Sequence, residues 1–200
     1  MACMWLVVGL GNPGRQYAGN RHNVGFMVLD CLMRQVGAGS SRQRMGAEIA
    51  EATLGRTKVI FCKPMEFMNA SGFAVSRAGS FWKIPLAQTV VVHDDMDLDF
   101  GRLKLAEAGG TGGHNGLRSI VAETGSEGFC RVRFGIGRPP PAWDGADFVL
   151  ADFSQEERRT LPDLLEVAAS ATRTVVEDGV VAAMNRFNQR KKQDEDGGAT

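Results

Sequence analysis

The sequence predicts an α/β protein, a single domain built on a twisted mixed β-sheet flanked by helices, and three observations carry that expectation. Short apolar runs ending in glycine or acidic residues alternate with segments of helical periodicity, the pattern of a layered α/β architecture. The β-branched run Thr89-Val-Val-Val-His93 has the composition of a buried central strand. Glycine concentrates over 9–14 and 109–116, two places where the backbone must turn tightly or approach a ligand closely.

Taken in chain order, residues 5–8 form an apolar strand that feeds the first glycine loop. From Asn23 onward, Val24, Met27, Val28, Cys31, Leu32 and Val36 recur at helical spacing until Gly37 stops them. Runs 47–54 and 58–62 flank Gly55-Arg56 and predict a hairpin. A helix through Trp82 carries Phe73, Val75, Ala78 and Phe81, and Pro85 forbids its continuation. Strand 89–93 opens into Asp94-Asp-Met-Asp97; a short strand over 101–105, the second glycine loop, a helix near 117–123 and an alternating strand over 131–136 follow. Segments 155–177 and 180–187 carry helical patterns, so residues 1–188 are expected to form the domain and the polar tail 189–200 to be disordered.

Composition narrows the function classes. No apolar run approaches the roughly 18 residues of a membrane span, and 4–10 is too short and lacks the basic flank of a secretory signal, so a cytoplasmic protein is expected. Cys3, Cys31, Cys62 and Cys130 are scattered and form no Cys-x-x-Cys, which suits buried thiols in a reducing compartment. The 23 Lys+Arg and 23 Asp+Glu sum to zero, which at first sight argues against a nucleic-acid partner. By region, however, residues 1–143 hold 16 basic against 11 acidic side chains and residues 144–200 hold 7 against 12, a split of +5 and −5. Neutrality is then a basic face offset by acidic later helices and tail, which predicts modest, salt-sensitive affinity for RNA.

Several chemistries compete for the loops. Gly9-x-Gly11-x-x-Gly14 after a strand matches the dinucleotide fingerprint, but Pro13 and residues 15–19 delay the helix, and the acidic residue expected about 20 positions on is missing. His93-Asp-Asp-Met-Asp97 could hold a cation, could orient a histidine as in hydrolytic triads, or could be a solvated acidic turn. His93, ending an apolar strand, reads as structural; His114 and Asn115 read as turn caps unless partners appear. Gly-x-Ser-x-Gly, Walker A and His-Glu-x-x-His motifs are lacking. The remaining set is His22, a carboxylate, and the loop asparagines Asn12, Asn69 and Asn115. That set suits hydrolysis in which His22 acts as general base on water and the amides hold a carbonyl or its oxyanion.

The strings Val8-Gly-Leu-Gly-Asn-Pro-Gly14, Tyr17, Arg21-His-Asn-Val-Gly25, Lys63-Pro-x-x-Phe-Met-Asn-x-Ser-Gly72, His93-Asp-Asp-x-Asp97, Gly112-Gly-His-Asn-Gly-Leu117 and Arg133-Phe-Gly-Ile-Gly137 together resemble bacterial-type peptidyl-tRNA hydrolase, in order, from about residue 4 to 188. The resemblance implies a monomeric α/β enzyme without metal or other cofactor. It would hydrolyse the ester between peptide and tRNA, releasing free tRNA for reuse in translation. It casts His22 as catalytic base and Asp94 as its supporting carboxylate, with Asn12, Tyr17, Phe67, Met68, Asn69 and Asn115 contacting substrate. Arg102, Lys104, Arg131 and Arg133 are candidates for tRNA contact; Ala106 stands where the family often has a second basic residue, which weakens that part of the grip. The proline-rich 139–143 leads into a lid expected over about 139–155. A binding-only, non-catalytic RNA-binding relative of the same fold is the chief alternative from another class, and a dinucleotide-binding enzyme a lesser one. Retention of His22, Asp94, Asn69 and Asn115 together favours catalysis.

Overall fold

The computed structural model describes residues 4–189. Seven strands form one mixed sheet in the order β2-β3-β4-β1-β5-β7-β6. Their ranges are β1 Met4–Gly9, β2 Arg42–Arg44, β3 Ala47–Leu54, β4 Thr57–Pro64, β5 Thr89–Asp95, β6 Leu103–Ala106 and β7 Cys130–Gly135. The four central strands run parallel: β1 lies between β4 and β5, and β5 pairs with β7. The two ends of the sheet are antiparallel, where β3 and β2 fold back from β4 and β6 pairs with β7. Buried on both faces, β1, β4 and β5 carry continuous apolar runs of Val, Leu, Ile and Phe, as parallel strands require, while β7 alternates Cys130, Val132 and Phe134 with Arg131 and Arg133.

Among the described residues, six α-helices cover the sheet: α1 Val24–Gln35, α2 Ser71–Trp82, α3 Asn115–Thr124, α4 Gly145–Leu150, α5 Gln155–Asp178 and α6 Val180–Phe187. One face buries Val7, Phe61, Val90, Val92, Val132 and Phe134 under α1 and α5 residues such as Val28, Leu32, Ala168 and Val175. The other buries Leu6, Val8, Ile60 and Val91 under Ala74, Val75 and Ala78 of α2 and Leu117 and Ile120 of α3. Strand alternation divides the two sets, since successive side chains leave opposite faces.

The chain runs from β1 through α1 to β4 on one side, then crosses by α2 to β5 on the other. The order therefore reverses beside β1, and the loops after β1 and β5 open at the carboxyl edge, where α/β sheets bind ligands. The helix after β1 is late, as the sequence predicts. Two 3-10 turns, Arg15–Tyr17 and Arg21–Asn23, intervene, and α1 begins at Val24.

This arrangement removes the dinucleotide reading. A Cβ on Gly9 would sit 2.4 Å from the Gly25 carbonyl oxygen, one on Gly25 would sit 2.4 Å from that of Val92, and one on Gly11 would strike the Phe26 ring at 2.7 Å. The glycines permit α1 to pack directly on the ends of β1 and β5, and because α1 begins only at Val24 no helix N-terminus opens inside the glycine loop to meet a pyrophosphate.

Candidate active site

His22 and Asp94 approach the carboxyl edge from different elements. His22 sits in the 3-10 turn Arg21–Asn23 ahead of α1, and Asp94 is the penultimate residue of β5. The Nδ1 of His22 lies 2.7 Å from Asp94 Oδ1. A carboxylate oxygen only accepts, so Nδ1 carries the proton and donates, leaving the lone pair on Nε2. No protein partner engages that Nε2 among the described residues, and His22 lines a cleft of about 300 Å³ with Asp94, His114, Asn115, Arg133 and Val149.

His114 completes the arrangement in a way its glycine-loop position did not reveal. Its Nδ1 accepts from the backbone N–H groups of Gly116 and Leu117, at 3.1 and 3.4 Å, and so caps α3. That fixes the tautomer: the proton is on Nε2, which donates to Asp94 Oδ1 at 3.0 Å. The ring also lies 4.9 Å from that of His22 and 5.0 Å from that of His93. Burial alone would raise the Asp94 pKa, but the electrostatic attraction and hydrogen bonds of the His114 and His22 N–H groups outweigh it and hold the carboxyl well below the usual carboxylate range. Asp94 is therefore an ionised anchor that orients two imidazoles.

His93 is structural, as its sequence position suggests. Its Nδ1 donates to the Asp94 carbonyl oxygen at 2.7 Å, and burial, together with nearby His114, pulls its pKa down to about 3.

The carboxylates after β5 do not converge. Asp94 faces the histidines, Asp95 pairs with Arg133, and the exposed Asp97 pairs with Arg138. The reading of 94–97 as one cation site is thereby corrected: three carboxylates pointing to three partners cannot share an ion. The ligand atoms of His22, Asp94 and His114 do lie within 4.8 Å of one another. Two of those contacts are the hydrogen bonds just described.

Asn12 belongs to a neighbouring unit. Its backbone N–H donates to Asn23 Oδ1 and its carbonyl accepts from Asn23 Nδ2, both at 2.9 Å. Its own Oδ1 accepts from the Met68 backbone N–H at 2.9 Å. Asn23, adjacent to His22, thus locks the first glycine loop, and Asn12 in turn fixes the turn that presents Phe67, Met68 and Asn69. Met68 is buried and Phe67, Asn69 and Asn115 are exposed, but of these only Asn115 lines the cleft. Tyr17 is half-buried in the turn Arg15–Tyr17. Asn12 also lines a second, smaller cavity of about 160 Å³ with Phe26, Met27 and Lys63, where Lys63 bonds Asp30 at 2.6 Å and Glu48 at 3.3 Å.

Among the basic candidates, Lys104 is exposed, Arg102 is half-buried, and Arg133 reaches the cleft while paired with Asp95. Arg131 is a correction. Only 2% exposed, it lies beneath the surface with its guanidinium 4.0 Å from the Phe129 ring centroid, donating to the carbonyls of Glu127 and Phe129. A phosphate outside the protein cannot reach it. Its position on β7, one residue out of register with the inward Cys130 and Val132, does not distinguish a solvent-facing side chain from one covered by a loop.

Similar proteins fall in one family. The family model for peptidyl-tRNA hydrolase matches residues 6–195. The chain is 51% identical over 189 residues to the peptidyl-tRNA hydrolase of Anaeromyxobacter sp. strain K, covering 94% of this chain and 98% of that one. It is 49% identical over 184 residues to that of Frankia casuarinae, covering 92% and 93%. Among solved structures, the peptidyl-tRNA hydrolase of Acinetobacter baumannii superposes with a TM-score of 0.88 at 33% identity, covering 96% of this chain and 97% of that one. With His22 and Asp94 in contact at the carboxyl edge of a matching fold, the chain belongs to the peptidyl-tRNA hydrolase family, enzymes that hydrolyse peptidyl-tRNA.

Proposed function

We propose that His22 is the general base that activates water against the ester joining peptide to tRNA. The observation that carries this is the 2.7 Å contact between His22 Nδ1 and Asp94 Oδ1, which leaves an unprotonated Nε2 beside the cleft. Nε2 takes a proton from water as its oxygen attacks the ester carbonyl carbon. The carbonyl oxygen becomes an oxyanion, and amide N–H groups of the exposed asparagines Asn115, in the cleft wall, and Asn69 are assigned to it. As the tetrahedral species collapses, the bond to the ribose oxygen breaks and the imidazolium returns its proton to that oxygen. Asp94, held ionised, stabilises the imidazolium in between. An ester needs no stronger nucleophile, so metal, other cofactor and covalent intermediate have no part in the scheme.

Asn12, Tyr17, Phe67 and Met68 are assigned to the peptide side of the substrate. Arg102, Lys104 and Arg133, at the β6–β7 edge, are assigned to its phosphates. Residues 139–155, which include α4 against the cleft, are assigned as the lid, and the working form as a cytoplasmic monomer.

The test is cleavage of N-acyl-aminoacyl-tRNA by His22→Ala. Loss of a general base should lower kcat about 10²- to 10⁴-fold. Undiminished turnover removes His22 from the role.

A further inference from the structure

The residue before the proposed base makes the densest set of interactions to the segment that roofs the cleft. Arg21 is 7% exposed, although it is a full cation. Its guanidinium donates through one terminal nitrogen to the carbonyls of Ala151 and Asp152, at 3.3 and 2.7 Å, and through the other to Glu157 at 2.7 Å. Its central carbon lies 4.3 Å from the Phe148 ring centroid and 5.5 Å from that of Phe153. The same Glu157 oxygen accepts from the Ser154 N–H in the capping box that starts α5.

The backbone repeats the connection. The Arg21 N–H donates to the Ala151 carbonyl, that of Phe153 donates to the Gly19 carbonyl, and Asn20 and Asp152 form an isolated antiparallel bridge. Between these anchors and the cleft lies α4, which supplies Gly145, Ala146 and Val149 to the cleft wall. One side chain therefore grips both ends of the roof's attachment, its Phe148 ring and its 151–152 carbonyls. The next residue in the chain is His22.

We propose that Arg21 is a positioning residue that clamps the α4 roof over the cleft and sets it in register with His22, so that base and roof are placed together. Four features require arginine. Two separate carbonyls need a planar fork of donors, two rings need a flat cation to stack on, a carboxylate must be neutralised, and the whole must be buried. Lysine can satisfy only the charge. If the clamp slackens, α4 moves away from the substrate it walls, and the 3-10 turn that holds His22 loses one of its outside constraints, beside the His22–Asp94 and Asn23–Asn12 bonds. The first change acts on binding and the second on the alignment of Nε2 with water, where a displacement of about 1 Å can cost about 10²-fold.

The inference rests on the reading of His22 as base and is tested with Arg21→Lys and Phe148→Leu, assayed on N-acyl-aminoacyl-tRNA where circular dichroism shows each fully folded. Arg21→Lys is expected to raise KM and lower kcat, with kcat/KM down about 10- to 100-fold. Phe148→Leu, which removes the stacking ring but keeps a large apolar side chain, should move both constants the same way by less. Hydrogen exchange of the 145–153 amides should quicken in both variants. A folded Arg21→Lys enzyme with either constant unchanged overturns the coupling, even if its melting temperature falls, because a purely structural pin alters stability and not kinetics. His22→Ala separates the two claims. If His22→Ala is active, the base assignment fails; if it is inactive while Arg21→Lys keeps wild-type constants, only the clamp fails.

Discussion

Asp94 Oδ1 stands 2.7 Å from His22 Nδ1 and receives, on the same oxygen, the Nε2 proton of His114 at 3.0 Å. One buried carboxylate oxygen thus orders two imidazoles, one ready to take a proton from water and one spent on capping α3. The division follows from the partners of His114. Its Nδ1 faces backbone N–H groups and must accept, so its only proton is committed to Asp94, whereas the Nε2 of His22 stays open.

Asp94→Asn keeps the shape but offers an amide that can present N–H to His22 and favour the wrong tautomer. Activity on N-acyl-aminoacyl-tRNA should fall about 10²- to 10⁴-fold in kcat with little change in KM. Steady-state kinetics at neutral pH check this, and a near-normal kcat would show that the carboxylate is dispensable.

His114→Ala removes a helix cap and one of the two bonds to Asp94. Stability to urea should fall by about 0.5–2 kcal/mol, the ordinary value of an N-cap side chain. In the folded enzyme kcat should also drop about tenfold, since a hydrogen bond to a charged group contributes about 1.5–3 kcal/mol, of which the reaction feels a part. Loss of stability with no change in kcat would confine His114 to capping.

Asn23→Asp replaces the donor that faces the Asn12 carbonyl with a second acceptor while preserving the bond from the Asn12 N–H. The opposed oxygens should destabilise the fold by about 1–3 kcal/mol. Because Asn12 also holds the Met68 N–H, KM for peptidyl-tRNA should rise. Urea titration and kinetics on one sample set test both halves, and an unchanged KM would detach the first glycine loop from substrate binding.

His93 predicts an acid sensitivity. Burial lowers its pKa in the folded protein from 6.5 to about 3, so below about pH 6.5 the unfolded chain binds a proton that the fold refuses. The stabilisation is complete above that pH and is lost as pH falls toward 3. Between pH 7 and pH 5 the contribution is about 2 kcal/mol. His93→Leu should show a correspondingly flatter pH dependence of urea stability over that interval, and curves that remain parallel would rule His93 out as the cause.

Periodicity and composition made much of the fold legible. The hairpin of β3 and β4, the delayed α1, the long α5 and the central β5 all lie within a few residues of where the sequence puts them, because each carries its own apolar pattern and its own stop signal. Expectation and structure part where local pattern is short or absent. β2 is three exposed residues, Arg42, Gln43 and Arg44, with no alternation to read, and exists because β3 offers an open edge. α3 starts at Asn115, two residues before the expected apolar run, because the His114 side chain caps it. α4 is six residues long, held by Asp144 at its start and by Arg21 from 130 residues away. Of the expected tail, only Gln189 lies within the described residues, and Cys3 lies outside them.

By itself the sequence determined the α/β class, the two glycine loops and, through seven collinear motifs, the family, whose resemblance implied the pairing of His22 with Asp94. Those properties are local, written in residue type and spacing. The tertiary structure alone decided that His114 shares Asp94 with His22, that Arg131 is buried and that Arg21 grips the roof. Each of these depends on which side chain from a distant element occupies the same few ångströms. The sheet order settles that by bringing the ends of β1 and β5 side by side under α1, α3 and α4.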